Sequence, residues 1–350
     1  MAIAGLRHGL ETLGHFVETL RPETVLTSLD LTRLHYNLEL PRRIADFEGT
    51  DLVVGFDFDG GLLPSGVRPS RYVVALKGVM ADEARFETGP VQRRFHRLSR
   101  IEARNARSAD IVSCTSEYSA DQARRHYGIS RDRIRVIPEG IRSENWIGLA
   151  ERAEAERRER GDTGDGATIL SVARQYRRKN TRSLLRAFAA LRATHPDSAL
   201  RIVGEGPELA ALRSLADDLG ISAFVEFVGS LDGLASLQRE YARADIFCLP
   251  SLQEGFGIVF LEAMAAGLPI VAARAGAVPE VAPHGEVSLL VPPDDADALA
   301  AALRQLADSP DQRRQLGAEG TRRWPAYDWR LVADRFLAAC LPGSDATVPR

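Results

Sequence analysis

Short runs of β-branched and aliphatic residues alternate along this chain with stretches whose apolar positions return every third or fourth residue. Runs of the first kind predict strands, and stretches of the second predict amphipathic helices. Strands are expected at TVLTSL (24–29), DLVVGFD (51–57), YVVALKG (72–78), DIVSCTS (110–116) and IRVIPEG (134–140). The pattern then stops: ERAEAERRERGDTGDG, residues 151–166, is charged and glycine-containing with little to bury, and reads as a solvated linker. It resumes with TILSVA (168–173), LRIVG (200–204), VEFVG (225–229), DIFCLPS (245–251), PIVAA (269–273) and VSLLVPP (287–293). Strands this continuously apolar suit parallel sheets covered on both faces. The expected fold class is α/β, with two doubly wound parallel-sheet domains, residues 1–150 and 167–322, and ligand where strand carboxyl ends face a cleft. The C-terminal part is helical in its periodicity, and the tail after Leu341 reads as disordered.

Composition narrows the partners. The 350 residues, 45% hydrophobic and 27% charged, suffice for two cores, and a formal net charge of -3 gives no overall pull toward nucleic acid. Cys114, Cys248 and Cys340 are an odd set without metal-ligand spacing and read as reduced core residues of a cytoplasmic protein. No apolar run is long enough to cross a bilayer, and no signal peptide is evident, so membrane contact is expected to be peripheral at most. One segment suits such contact at an inner membrane face: VQRRFHRLSRIEARNAR, residues 91–107, carries six arginines against one glutamate, with Phe95, Leu98 and Ile101 at helical spacing. The commoner outcome for that pattern is a helix with one face packed and the other solvated.

The densest candidate chemistry is LPSLQEGFGIVFLEAMAAGLPIVAA, residues 249–273. It reads as a strand end, a tight EGFG turn and a helix stopped by Gly267 and Pro269. A glycine-bearing turn into a helix start favours phosphate, because unpaired amides and the helix dipole both attract an anion. Gly255, Phe256, Gly257 and Ile258 are therefore expected to face one. Glu262, inside the helix, is placed to accept from two ribose hydroxyls, and Glu254 to meet a group beyond the phosphates, which together describe a nucleotide sugar. A glycosidase acid and base pair fits less well: eight helical positions span about 12 Å, against roughly 5 to 9.5 Å for such pairs. The plain alternative makes Glu262 a solvent-facing residue and Glu254 a helix cap. After the strand at 168–173, Arg174 offers a planar fork and Lys179 a point charge for a diphosphate, although with Arg177 and Arg178 they also read as a solvated loop.

These residues carry a resemblance. EGFGIVFLE, with glutamates separated by seven residues, resembles the donor-site motif of retaining glycosyltransferases of family four. SVARQYRRKN is similar to the segment whose arginine and lysine hold the donor diphosphate, here Arg174 and Lys179. IVGEGPE, FVGSL, LPS and AGLPIVAARAGAVPE follow in the family's order over about residues 168 to 293, and ARSADIVSCTSEYSADQARRHYGISRDRIRVIPEGI resembles the close of its first domain. The resemblance implies the GT-B fold, with an acceptor-side domain at 1–150, a donor domain at 167–322, and a last helix, 323–341, that crosses back to the first domain. Trp324, Tyr327, Trp329 and Phe336 then read as packing residues. It also implies metal-independent transfer with retention from a nucleoside diphosphate sugar, by front-face attack in which the leaving phosphate helps deprotonate a glycan, lipid-linked or small-molecule acceptor. Glu254, Arg174 and Lys179 are the residues expected to act in catalysis, and no cofactor is implied.

Departures from the family pattern are equally legible. The opening MAIAGLRHGLETLGHFVETL reads as a helix where the family has a strand and a glycine-rich loop, and Lys77 stands where a histidine is usual. Lys77 reads equally as a contact for an anionic group or as a side chain snorkelling from a strand end. In GAVPE, 276–280, Ala277 replaces the second glycine of the family's turn, and Gly204 and Gly206 read at least equally as structural. No G-x-S-x-G elbow or D-x-D diphosphate motif appears, DFD at 57–59 reading as a strand end, and the seven histidines are scattered, so no metal site is expected. Three rival functions remain: a nucleotide-sugar epimerase of this fold, a degenerate nucleotide-binding or scaffold protein without turnover, and a peripheral membrane interaction protein resting on the arginine-rich helix alone.

Overall fold

A computed structural model describes residues 2–45, 47, 49–63, 71–160 and 166–341. The chain divides into two compact units. One holds the chain up to Gly140 together with the segment from Tyr327 onward, and the other holds Ile141–Ala326.

The smaller unit is built on four parallel strands in the order β1-β2-β3-β4: β1 Val53–Phe56, β2 Tyr72–Leu76, β3 Ile111–Cys114 and β4 Ile134–Val136. Alternation along these strands sorts the side chains by face. Tyr72, Val74, Leu76, Val112 and Cys114 join the core under the helices Leu29–Ala45, Gly89–Ser108 and Glu117–Tyr127. Val73 and Ile111 turn the other way, against the helices Ala2–Thr12 and Trp329–Cys340. Trp329 is the centre of that second layer. A Cβ at Gly5 would lie 2.1 Å from its indole, one at Gly9 2.3 Å from its carbonyl oxygen, and one at Gly140 2.6 Å from the ring, so glycine at all three lets the elements close around it.

The TVLTSL segment is not the strand its residues suggest. Val25 is 83% exposed and has no neighbouring strand among the described residues, while Ser28 Oγ accepts from the Leu31 amide and starts the helix Leu29–Ala45 instead. The helix Gly89–Ser108 buries Ala103 and Ala106 and leaves Arg93, Arg97, Arg100, Arg104 and Arg107 exposed along one stripe. No described helix is long and apolar enough to cross a membrane.

The larger unit carries six parallel strands: β5 Thr168–Val172, β6 Ala199–Val203, β7 Val225–Gly229, β8 Ile246–Leu249, β9 Ile270–Ala273 and β10 Ser288–Val291. Their order is β10-β9-β8-β5-β6-β7, so the chain reverses direction across the sheet between β5 and β8. Such a switch point leaves a crevice at the strand carboxyl ends. The charged run after 150 differs from its sequence reading: through Arg160 it is the helix Leu149–Arg160, which buries Leu149 and Ala153 and sends Arg157 Nη1 to the Ala244 carbonyl at 3.2 Å. Contacts of this kind dock a helix too polar to be recognised by periodicity. Residues 161–165 of the expected linker and the tail after Leu341 lie outside the described residues. All three cysteines are free and buried, and burial pushes the Cys114 and Cys340 thiols up to about 12.

Candidate functional site

Arg174, Lys179 and Glu254 all leave the sheet at the switch point, the first two after β5 and the third after β8. The exit from β5 is held by hydrogen bonds to the neighbouring exit: the Gln175 amide donates to Glu205 O at 2.9 Å, and the Glu208 amide to Gln175 O at 3.0 Å. A Cβ at Gly204 would stand 2.1 Å from the Ala173 carbonyl oxygen, and one at Gly206 2.5 Å from that of Gln175. Both glycines therefore serve close packing of these turns. Lys179 ends a 3-10 turn, Arg177–Lys179, closed by Asn180 with φ of 54°, whose side chain accepts from Ser183 Oγ and reaches Asp294. The Leu252 amide donates to Arg178 O at 2.7 Å and joins the β5 and β8 loops directly.

Across that junction Lys179 Nζ lies 2.5 Å from Glu254 Oε1, which also accepts from Ser251 Oγ at 2.9 Å. Glu254 is buried and is not a helix cap; the cap position belongs to Gly257, with φ of 90°. The GAVPE turn backs the glutamate. The Ala277 amide donates to Glu254 O at 2.9 Å, and a Cβ on Gly276 would stand 2.4 Å from the same oxygen. Alanine at 277 thus keeps the backbone contact.

Phe256 is buried, and Gly257 opens the helix Ile258–Ala265, whose first amides have no carbonyl partner within the helix. At its other end the Gly267 amide donates to Met264 O and the Leu268 amide to Ala263 O, a Schellman pair with Gly267 at φ of 66°. Glu262 is only 2% exposed, so it does not face solvent. Its Oε2 accepts from Tyr241 OH at 2.7 Å, and burial raises the acid to about 7 although that hydrogen bond acts the other way. Tyr241 is fixed in turn by an aromatic chain with Trp146, Phe247 and Phe260, at centroid steps of 5.7 to 6.0 Å. The helix Leu234–Arg243, which carries Tyr241, gives no local signal that this tyrosine meets a glutamate 21 residues later.

Arg174 is exposed, with its guanidinium 5.7 Å from the Tyr176 ring centroid; Arg178 lies over the same ring at 4.9 Å. The arrangement thus joins Lys179 to Glu254, anchors Glu262 separately, and leaves Arg174 reaching outward. A hollow of about 980 Å³ in this unit is lined by Thr168, Ala199 and Val225, at the opposite ends of the strands from these groups.

Comparison with known proteins agrees with this layout. The Glycosyltransferase Family 4 model matches residues 23–145, and the Glycosyl transferases group 1 model matches residues 152–323. A GDP-mannose-dependent alpha-(1-6)-phosphatidylinositol monomannoside mannosyltransferase from Mycolicibacterium smegmatis is 34% identical over 63% of this chain and 59% of its own length. The chain thus spans about three fifths of that relative. Sucrose-phosphate synthase from Thermosynechococcus elongatus matches with a TM-score of 0.75 and 25% identity, over 90% of this chain and 79% of that one. HepE from Anabaena, solved with UDP and glucose, matches with a TM-score of 0.70 and 20% identity, over 95% and 88%. The fold class read from the strand pattern, two parallel-sheet α/β units, and the GT-B type that the family resemblance implied are those of these proteins.

Proposed function

We propose, for a chain that belongs to the family-four, group 1 glycosyltransferases, transfer of a sugar from a nucleoside diphosphate sugar to a hydroxyl acceptor, with retention and without a metal ion. The observation that carries it is the Lys179–Glu254 pair at the switch point, next to the glycine turn that opens the helix Ile258–Ala265. An ammonium has three donors, so Lys179 can hold Glu254 and still bind a diphosphate oxygen. Arg174 supplies a second cation. As the bond from the anomeric carbon to the diphosphate breaks, both cations stabilise the charge gathering on the leaving group. The acceptor oxygen bonds to the same carbon, and its proton passes to the leaving phosphate. Glu262 accepts from the ribose hydroxyls, and the amides of Ile258 and its neighbour face the phosphates. The mannosyl and glycolipid activities named for the Mycolicibacterium relative make GDP-mannose the first donor to try and glycan or glycolipid assembly the setting.

The test is a thermal-shift panel of nucleoside diphosphates and their sugars, with and without magnesium, on the wild type and on Glu262→Ala. Stabilisation by one nucleotide sugar, independent of metal and lost in the variant, is expected. No stabilisation of a well-folded sample by any of them overturns the reading.

Contact with an anionic membrane surface is a second reading, favoured by the exposed arginine stripe of Gly89–Ser108. Arg94 of that helix forms an ion pair with Asp30, at 2.6 Å, on the helix that exposes Leu31, Leu34 and Leu38. Basic and apolar groups side by side suit a lipid interface. Salt-sensitive sedimentation with anionic liposomes is expected, and absence of binding at low salt removes the reading.

A further inference from the structure

The smaller unit has a polar cluster of its own at its strand carboxyl ends. Asp57 directly follows β1, Lys77 directly follows β2, and Glu139 lies three residues after β4. Asp57 adopts φ of 55°, a conformation that a side chain rarely takes, and its Oδ1 accepts from the Lys77 amide at 2.9 Å. Lys77 Nζ lies 2.6 Å from Glu139 Oε1 and 5.2 Å from the Phe56 ring centroid. Glu139 is 3% exposed, yet its Oε2 accepts no hydrogen bond among the described residues. A buried carboxylate oxygen left without a donor is costly, and a ligand donor would relieve that cost. Lys77, 27% exposed, makes the cluster reachable from solvent.

Charge decides what kind of ligand fits. The neighbouring Arg33 is committed to Asp59, at 2.7 Å, and stacks 3.7 Å above Phe58. Arg33 also attracts Asp57, so the charge left to face a ligand is that of Lys77, and Glu139, 2.6 Å from it, offsets that charge and repels a phosphate from the cluster. Hydroxyl groups suit it: carboxylate oxygens accept from them, and the remaining N-H groups of Lys77 donate to them. Had Lys77 stood alone it would invite an anion; Glu139 cancels that charge.

We propose that Asp57, Lys77 and Glu139 form a binding site for a neutral polyhydroxylated ring and discriminate against its phosphorylated counterpart. Only the identification of that ring as the acceptor rests on the glycosyl-transfer reading. Glu139 is the specificity-determining residue, because its carboxylate both accepts from the ligand and masks the Lys77 charge.

The test uses the full chain with methyl α-D-glucopyranoside and D-glucose 6-phosphate as probes, binding being read by saturation-transfer NMR. The wild type is expected to prefer the neutral sugar by about tenfold or more, the scale that one charge-assisted contact sets. Glu139→Gln exposes the Lys77 charge and should shift the ratio toward the phosphate by a similar factor. Equal or stronger binding of the phosphate by the wild type, no binding of either probe, or an unchanged ratio in folded Glu139→Gln overturns the proposal. If Glu139→Gln does not fold, Lys77→Met decides: a clear loss of neutral-sugar binding supports the site, and unchanged binding overturns it. Thermal shift with GDP and UDP on the same wild-type sample scores the donor site separately. Sugar selectivity without nucleotide stabilisation would defeat the glycosyl-transfer reading and leave this site standing; nucleotide stabilisation without selectivity would do the reverse.

Discussion

Lys179 Nζ and Glu254 Oε1 lie 2.5 Å apart although 75 residues separate them in the chain. Both side chains are largely buried, so each charge is satisfied mainly by the other and by Ser251. Removing one partner leaves the other buried and uncompensated. Lys179→Ala and Glu254→Gln should each destabilise the protein, and the double variant should lose less than the two together. A coupling energy of about 1–3 kcal/mol in urea unfolding is expected. Strict additivity would mean that the pair is not formed in solution.

Arg174 is exposed, and its only described partner is the Tyr176 ring. Arg174→Ala should therefore leave stability within about 0.5 kcal/mol of wild type while weakening nucleoside diphosphate binding about tenfold or more. Calorimetric titration checks this. Turnover unchanged in both Arg174→Ala and Lys179→Ala would remove both residues from the proposed mechanism.

Glu262 gives a pH dependence with a definite sign. Burial raises this acid from its ordinary 4.5 to about 7, so the folded state holds the proton more tightly than the unfolded chain. The stability this contributes is complete below about pH 4.5 and is lost as pH rises through 7. Glu262→Gln does not titrate, so the difference in unfolding free energy between variant and wild type should grow in the variant's favour from pH 5 to pH 8. A difference independent of pH would show that Glu262 titrates normally.

Gly276→Ala tests the support behind Glu254. The new methyl would stand 2.4 Å from Glu254 O at φ of 56°, whereas Gly285, at φ of 80°, has nothing within 4 Å. Both substitutions incur the backbone strain, of at least about 1 kcal/mol, but only the first displaces Glu254. Nucleotide affinity should fall in Gly276→Ala and hold in Gly285→Ala, as measured by thermal shift with the bound donor.

Much of this was legible in the chain because it depends on short-range pattern. Alternation placed β1 to β10, and the EGFG turn marked a helix start because glycine at 257 is needed for its φ of 90°. Where the pattern misled, neighbours were missing or too few. TVLTSL has strand-forming residues but no strand to pair with among the described residues, and Val25 remains in solvent. The helix Leu149–Arg160 lacks an apolar stripe, since Leu149 and Ala153 alone bury fully against the rest of its unit.

By itself the sequence determined the fold class, the strand order's raw material and the family, and it singled out Arg174, Lys179, Glu254 and Glu262 as the charged groups expected at a donor site. Each depends on residue type and local spacing, which the chain states directly. Only the tertiary structure decided which charges meet. Lys179 is claimed by Glu254 and Lys77 by Glu139 because strand exits far apart in the chain are brought side by side by a parallel sheet, and Glu262 is claimed by Tyr241 because the helices before and after β8 pack together. Burial at those exits then sets each group's charge balance, and burial is a property of the packed whole that local spacing does not encode.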